Sequence, residues 1–119
     1  MSTSLIRCLL AVYALSETYE KIASKDVAHL LGVKRPTVHR SLTVLQEKGL
    51  VQKELYSDVH LTEQGRTEAV RLEKQRDDLA LLFAHRLELP PDECLKAAFA
   101  LMSELNDESL SHLQQMAES

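Results

Sequence analysis

Apolar residues recur at helical spacing from the start of the chain. Leu5, Leu9, Val12 and Tyr13, with Ser16 in the same register, share one side of residues 3–18, which reads as an amphipathic first helix. Tyr19 to Ala23 reads as a connector. Ser24 stands in an N-cap position for a short helix running to about Leu31, with Val27, Ala28, Leu30 and Leu31 on its buried side. Gly32 then supplies the positive φ of a tight turn after a helix. Pro36 suits the first turn of a third helix, where a missing N–H costs nothing. That helix turns Val38, Leu42 and Leu45 inward and stops at Gly49. From Leu50 the period changes to two. Val51, Lys53 and Leu55 alternate with Gln52 and Glu54, Tyr56-Ser57-Asp58 interrupts, and Val59-His60-Leu61 resumes, which predicts a short β-hairpin. Thr62 caps a long helix from Glu63 whose apolar side carries Leu72, Leu79, Leu82, Phe83 and Leu87. Pro90-Pro91 ends it and starts another to about Glu104. Asn106 caps a last helix, with Asp107 and Glu108 in its positive first turn.

Two helices joined by a glycine turn and followed by a hairpin make a winged helix-turn-helix. The expected fold class is therefore mostly α with a small β-hairpin: a winged helix-turn-helix over residues 1–65, then an α-helical dimerisation domain over 66–119. In such a motif the second helix offers its N-terminal residues to base edges in the major groove of double-stranded DNA. Its backbone N–H groups and flanking cations meet phosphates. Here that helix begins Lys34-Arg35-Pro36-Thr37-Val38-His39-Arg40-Ser41. With Val38 inward, Thr37, His39, Arg40 and Ser41 are expected toward solvent or DNA. Arg40 suits a bidentate contact to guanine, and Thr37 a phosphate or a thymine methyl. Lys34 and Arg35 read as phosphate clamps, and Lys53 with the hairpin tip reaches the neighbouring backbone. The competing reading is of ordinary solvated cations on a winged helix that docks another protein.

Charge favours the first reading. The net charge is −4, but residues 1–56 hold eight Lys/Arg against five Asp/Glu, and residues 57–119 hold six against thirteen. From Lys21 to Lys53 there are seven positive and two negative residues. Screening over about 10 Å at 0.1 M salt lets this local excess act on a polyanion despite the acidic second half.

Composition narrows the alternatives. At 119 residues and 45% hydrophobic, with three Gly and three Pro, the chain suits one unit or two small joined ones with a buried core. No apolar run reaches the roughly 18 residues of a membrane span, and no signal-peptide pattern opens the sequence, so a cytoplasmic protein with no membrane partner is expected. Cys8 and Cys94 are too few for a disulfide framework and read as reduced thiols. No phosphate loop, CxxC pair, HExxH or GxSxG occurs, and no converging nucleophile and base, so no enzyme is expected. Asp92 and Glu93 suit a helix N-terminus rather than acid–base work.

Several of these segments resemble the iron- and manganese-dependent repressors of the diphtheria toxin repressor type. The matching pieces are Val12-Tyr13-Ala14-Leu15, Val27-Ala28 with Leu31, Pro36-Thr37-Val38, Lys48-Gly49-Leu50-Val51 and Leu61-Thr62-Glu63-Gln64-Gly65-Arg66. The resemblance covers nearly the whole chain and implies the two-domain form, without an SH3-like third domain. It implies a homodimeric repressor that reads a near-palindromic operator, with Lys34, Pro36, Thr37, His39 and Arg40 against DNA. The apolar residues of the second half, Leu79, Leu82, Phe83, Phe99, Met102 and Leu105 among them, are expected to form the dimer interface. Such a pairing would set the recognition helices roughly 34 Å apart, one turn of DNA.

The regulatory site departs from the family. The positions matching its metal ligands are Arg7 and Leu10 in the first helix, Arg76 in the long helix, and Phe99, Met102 and Ser103 in the helix after it. Divalent ions need carboxylate, imidazole or thiolate groups converging at about 2 to 2.5 Å, and Arg, Phe and Leu supply none. No metal cofactor is therefore expected. Arg7 and Arg76 place cations near the metal positions, where Asp77, Asp78 or Glu104 are candidate ion-pair partners. The alternative is that both arginines reach solvent. A second alternative is an Mn2+ or Fe2+ site rebuilt from Cys8, Cys94, His85, His112 and Glu104. A buried Cys on an amphipathic helix is more often a small hydrophobe, and no resolving thiol neighbours either cysteine. His29 and His60 read as structural or solvent-facing.

Overall fold

A computed structural model of the chain describes residues 1–55 and 58–119. The elements run α1 (Thr3–Ser16), β1 (Ile22–Ala23), α2 (Ser24–Leu31), α3 (Arg35–Glu47), β2 (Val51–Lys53), β3 (Asp58–Leu61), α4 (Glu63–Arg86), α5 (Pro91–Glu104) and α6 (Asp107–Ala117). Of the break expected at Tyr56-Ser57-Asp58, Tyr56 and Ser57 lie outside the described residues, and Asp58 is instead the first residue of β3, paired with Ala23. The chain divides into two units, Ser4–Val70 and Met1–Thr3 with Arg71–Ser119.

In the Ser4–Val70 unit, Leu9 and Val12 of α1, Val27 of α2 and Val38, Leu42 and Leu45 of α3 are fully buried, as are Ile22, Val51 and Val59 of the strands. Fully burying such a side chain is worth about 1.5 to 3 kcal/mol. The α2 helix turns into the next at Gly32, which adopts φ 68°. The Gly32 N–H reaches the His29 carbonyl at 3.2 Å and the Val33 N–H reaches Ala28 at 3.1 Å, so the last carbonyls of α2 are satisfied. Gly49 repeats the device after α3 at φ 77°, with the Leu50 N–H on the Leu45 carbonyl at 3.0 Å.

Three further local expectations are corrected. Tyr19 to Ala23 is not all connector: Ile22 and Ala23 pair with Val59 and Asp58, making an antiparallel sheet ordered β1-β3-β2. Two residues are too few to show a period in sequence, yet burial of Ile22 fixes them. Ser24 is not the cap of α2 but its first residue, with Ala23 in the extended cap position. Ser24 is buried and its Oγ has no hydrogen-bond partner among the described residues. Leu30 is 53% exposed rather than inward, because it falls outside the arc that carries Val27 and Ala28.

In the other unit, Leu72, Leu79 and Leu82 of α4 are buried, with Cys94, Ala98 and Met102 of α5 and Leu110 of α6. Leu87 falls just beyond the end of α4 and is 60% exposed. Glu88 turns the chain out of α4 in the left-handed region, φ 55°, as the Leu89 N–H closes on the Phe83 carbonyl at 3.3 Å. Asn106 caps α6 as expected, its Oδ1 accepting from the Ser109 N–H at 2.8 Å. Asp78 accepts from both Lys74 Nζ and Gln114 Nε2 at 2.9 Å, tying α6 to α4. Burial pushes the Asp78 carboxyl up, but these two hydrogen bonds outweigh it and hold its pKa below the ordinary value.

Candidate nucleic-acid interface

Helix α3 starts at a positive end with no side-chain cap. Lys34 sits in the extended cap position (φ −81°, ψ 151°), and no acidic residue occupies the first turn. Pro36 has no N–H and the Thr37 and Val38 N–H groups donate to the Lys34 carbonyl at 3.1 and 3.3 Å, so the positive end rests on the helix dipole and the charges of Lys34 and Arg35. Lys34, Arg35, Pro36 and Arg40 are exposed, while Thr37 and His39 are half-buried. Arg40 Nη2 donates to Thr37 Oγ1 at 3.4 Å, which lays the guanidinium along the outside of the first turns with most of its donors open.

Ser41 is a correction. It was expected to face solvent or DNA, but it is buried, with a relative exposure of 9%. It follows Val38 by three positions and precedes Leu45 by four, so helical geometry puts it among the inward residues. Its polarity masked that spacing.

Lys53 is half-buried at the end of β2 and meets α3 twice. Its N–H donates to Gln46 Oε1 at 2.6 Å, and its Nζ donates to Thr43 Oγ1 at 3.0 Å. The Thr43 hydroxyl in turn donates to the His39 carbonyl at 2.9 Å. Thr43 and Gln46 were not singled out from the sequence. The available signal was their spacing: His39, Thr43 and Gln46 lie four and three apart, one polar stripe along α3.

The run from Leu61 to Arg66 fastens the sheet to the start of α4. Thr62 Oγ1 donates to the Gly49 carbonyl at 2.7 Å and accepts from the Gly65 N–H at 2.9 Å, which makes it the expected cap. The Thr62 N–H reaches the Leu50 carbonyl at 3.2 Å. Gly65 packs so closely on that carbonyl that no side chain fits. Arg66 lies over the Tyr13 ring, 5.8 Å from its centroid, and His60 Nδ1 meets Glu54 Oε1 at 2.8 Å.

The positions that the resemblance matches to the family's metal ligands, Arg7, Leu10, Arg76, Phe99, Met102 and Ser103, carry no carboxylate, imidazole or thiolate. Arg7 is exposed and Leu10 buried. Arg76 pairs with Asp77 at 2.9 Å, and Asp78 is taken by Lys74. The Phe99 carbonyl accepts from Thr3 Oγ1 at 3.5 Å, the Met102 thioether is buried, and Ser103 Oγ donates to Ala100 at 2.9 Å. This donor set does not fit a divalent cation. Among the described residues no group of three or more His, Cys, Asp or Glu stands close enough to hold a metal ion. Burial pushes the Cys8 thiol up to about 12, away from the thiolate a metal needs. The Cys94 thiol donates to the Leu89 carbonyl at 3.3 Å. His85, Glu104 and His112 are exposed.

Of the apolar residues expected at a dimer interface, Leu79, Leu82 and Met102 are buried within the single chain. Phe83 and Phe99 are half-buried and Leu105 is exposed. Leu81, Leu87, Leu95 and Met116 add exposed apolar surface to the same unit. Among the described residues no helix is long and apolar enough to cross a membrane.

Residues 3–59 match the family described as the iron dependent repressor, N-terminal DNA binding domain. The chain is similar in structure to the manganese regulator SloR, with TM-score 0.83 and 25% identity over 99% of this chain and 55% of that one. The metal-dependent transcriptional regulator MtsR gives TM-score 0.81 and 20% identity over 99% and 55%. A hypothetical protein from Sulfolobus solfataricus gives 0.72 and 19% over 98% and 88%. No curated protein matches by sequence. The chain spans 55% of the length of SloR and of MtsR. The resemblance read from the motifs agrees with this match, which covers the N-terminal DNA-binding domain of an iron dependent repressor.

Proposed function

We propose that this chain, whose N-terminal half matches the iron dependent repressor DNA-binding domain, is a transcriptional repressor that binds a near-palindromic operator as a homodimer and needs no divalent metal to do so. The observation that carries the reading is the open start of α3. Lys34, Arg35, Thr37 and Arg40 stand on an uncovered helix end inside the most basic stretch of the chain. Lys34 and Arg35 take phosphates, Arg40 reads a guanine, and Thr37 with His39 flanks it. Lys53 meets the adjoining backbone. Two copies paired through Phe83, Phe99 and Leu105 cover apolar surface that the single unit leaves open. Metal independence is supported by the donor-poor set Arg7, Leu10, Arg76, Phe99, Met102 and Ser103, which derives no regulatory step from a cation.

An anisotropy titration of labelled duplex, run in chelator and again with Mn(II), Fe(II) or Zn(II), tests both parts. The reading expects equal affinity in all four, falling steeply with salt, and a loss of about 1 to 3 kcal/mol of discrimination at one base position in Arg40→Ala. A large gain on adding metal overturns metal independence. No binding to any duplex in dilute buffer overturns the repressor reading and favours a protein-docking winged helix.

A further inference from the structure

The sheet order β1-β3-β2 leaves β2 an edge strand, paired on one side only. An edge strand presents amides with no strand partner, and one of them is the Lys53 N–H. It is not left open: Gln46 Oε1 of α3 accepts it at 2.6 Å. The same residue is held at its other end, where Nζ donates to Thr43 Oγ1 at 3.0 Å. Thr43 is fixed in turn, because its hydroxyl proton goes to the His39 carbonyl at 2.9 Å. A threonine hydroxyl has one proton, so spending it on His39 leaves Oγ1 to act toward Lys53 as an acceptor only. The lysine is thus bolted to α3 at backbone and side chain by two residues one turn apart.

We infer that Thr43 and Gln46 are positioning residues that lock the edge strand to the recognition helix and hold the Lys53 ammonium in register with Lys34, Arg35 and Arg40 for a DNA phosphate. The inference rests on the DNA-binding reading above. An ammonium has three donors, and Thr43 takes one, so two remain for phosphate oxygens. A free lysine surrenders rotamer freedom when it clamps a phosphate, whereas one already held surrenders less. The latch also makes the strand and α3 approach DNA as one rigid edge rather than as a helix with a loose flap. Thr43 and Gln46 are exposed, so replacing them leaves the buried residues of α3 in place.

The test is the salt dependence of duplex binding by the full chain, with Lys53→Ala, the double variant Thr43→Val with Gln46→Ala, the triple variant and the conservative Thr43→Ser. Each phosphate neutralised contributes about 0.9 to the slope of log K against log salt. Lys53→Ala removes one phosphate contact from each of the two copies and is expected to lower that slope by about 1.8. The latch-breaking pair is expected to lower it by a similar amount although it removes no charge, and adding Lys53→Ala to it changes nothing further. Thr43→Ser retains the parental slope. Amide exchange at Lys53 is expected to accelerate in Gln46→Ala without DNA, while exchange at Leu42 and Leu45 stays slow. A parental slope in the latch-breaking pair, a parental slope in Lys53→Ala, or unchanged exchange at Lys53 overturns the inference while the DNA-binding reading stands. A parent chain that binds no duplex overturns that reading, and this role with it.

Discussion

Gly65→Ala puts a methyl group into space the backbone already fills. The added Cβ would lie 1.8 Å from the Leu50 carbonyl oxygen and 2.8 Å from its carbon. Carbon and oxygen rest at about 3.3 Å or more, so the start of α4 and the strand entrance must part by roughly 1.5 Å. Three hydrogen bonds span that seam: Thr62 N–H to Leu50 at 3.2 Å, Thr62 Oγ1 to Gly49 at 2.7 Å, and Gly65 N–H to Thr62 Oγ1 at 2.9 Å. Losing two of them costs about 2 kcal/mol, and the overpacking itself about 1 to 3 kcal/mol. Alanine regains about 1 kcal/mol of helix propensity. The net expectation is a loss of about 2 to 4 kcal/mol, read as a lower midpoint in urea denaturation followed by far-ultraviolet circular dichroism. Gly32→Ala is the control, since its Cβ would meet nothing within 4 Å and only its φ of 68° is unfavourable. That strain is worth about 1 to 2 kcal/mol. A Gly65→Ala midpoint equal to or above the parent's refutes the close approach.

The remaining predictions concern strain and titration. Glu88 is a non-glycine residue at φ 55°, so Glu88→Gly is expected to stabilise by about 0.5 to 1 kcal/mol, seen as a higher Tm; a lower Tm contradicts the left-handed turn. Cys8 has its thiol pKa raised from 9.0 to about 12 by burial. The thiol form is therefore favoured in the fold, and the stability it lends is complete below pH 9 and fades as pH rises toward 12. Native Cys8 should resist alkylation at pH 8 and react on unfolding in urea; rapid labelling of the folded chain would count against its burial. Asp78 has a lowered pKa, so its contribution is present above the ordinary carboxylate range and is lost as pH falls through the folded value. Asp78→Asn should flatten the acid limb of a stability–pH curve, and an unchanged limb would show that the Gln114 and Lys74 contacts do not form in solution.

Much of this fold is written in local chemistry. Gly32, Pro36, Thr62, Pro91 and Asn106 each act through backbone geometry or a cap that needs only a few neighbours, and each does in the structure what its position implies. What the sequence hides depends on distant partners. Ile22 joins a sheet through Val59, which lies far along the chain, and Ser24 and Ser41 carry polar side chains into buried positions. The exposed start of α3 was legible as a run of cations with Pro36. The latch on Lys53 was not, because it joins residues of different elements through a side-chain amide and a hydroxyl with no fixed partner type.

Site selection from a random duplex library by the chelator-treated chain puts the whole account at risk in one measurement. The account predicts enrichment, with no metal added, of a two-fold symmetric sequence whose half-sites are centred one helical turn, about 10 base pairs, or a multiple of it apart. Enrichment only after Mn(II) or Fe(II) is restored, or of no sequence at all, would contradict it.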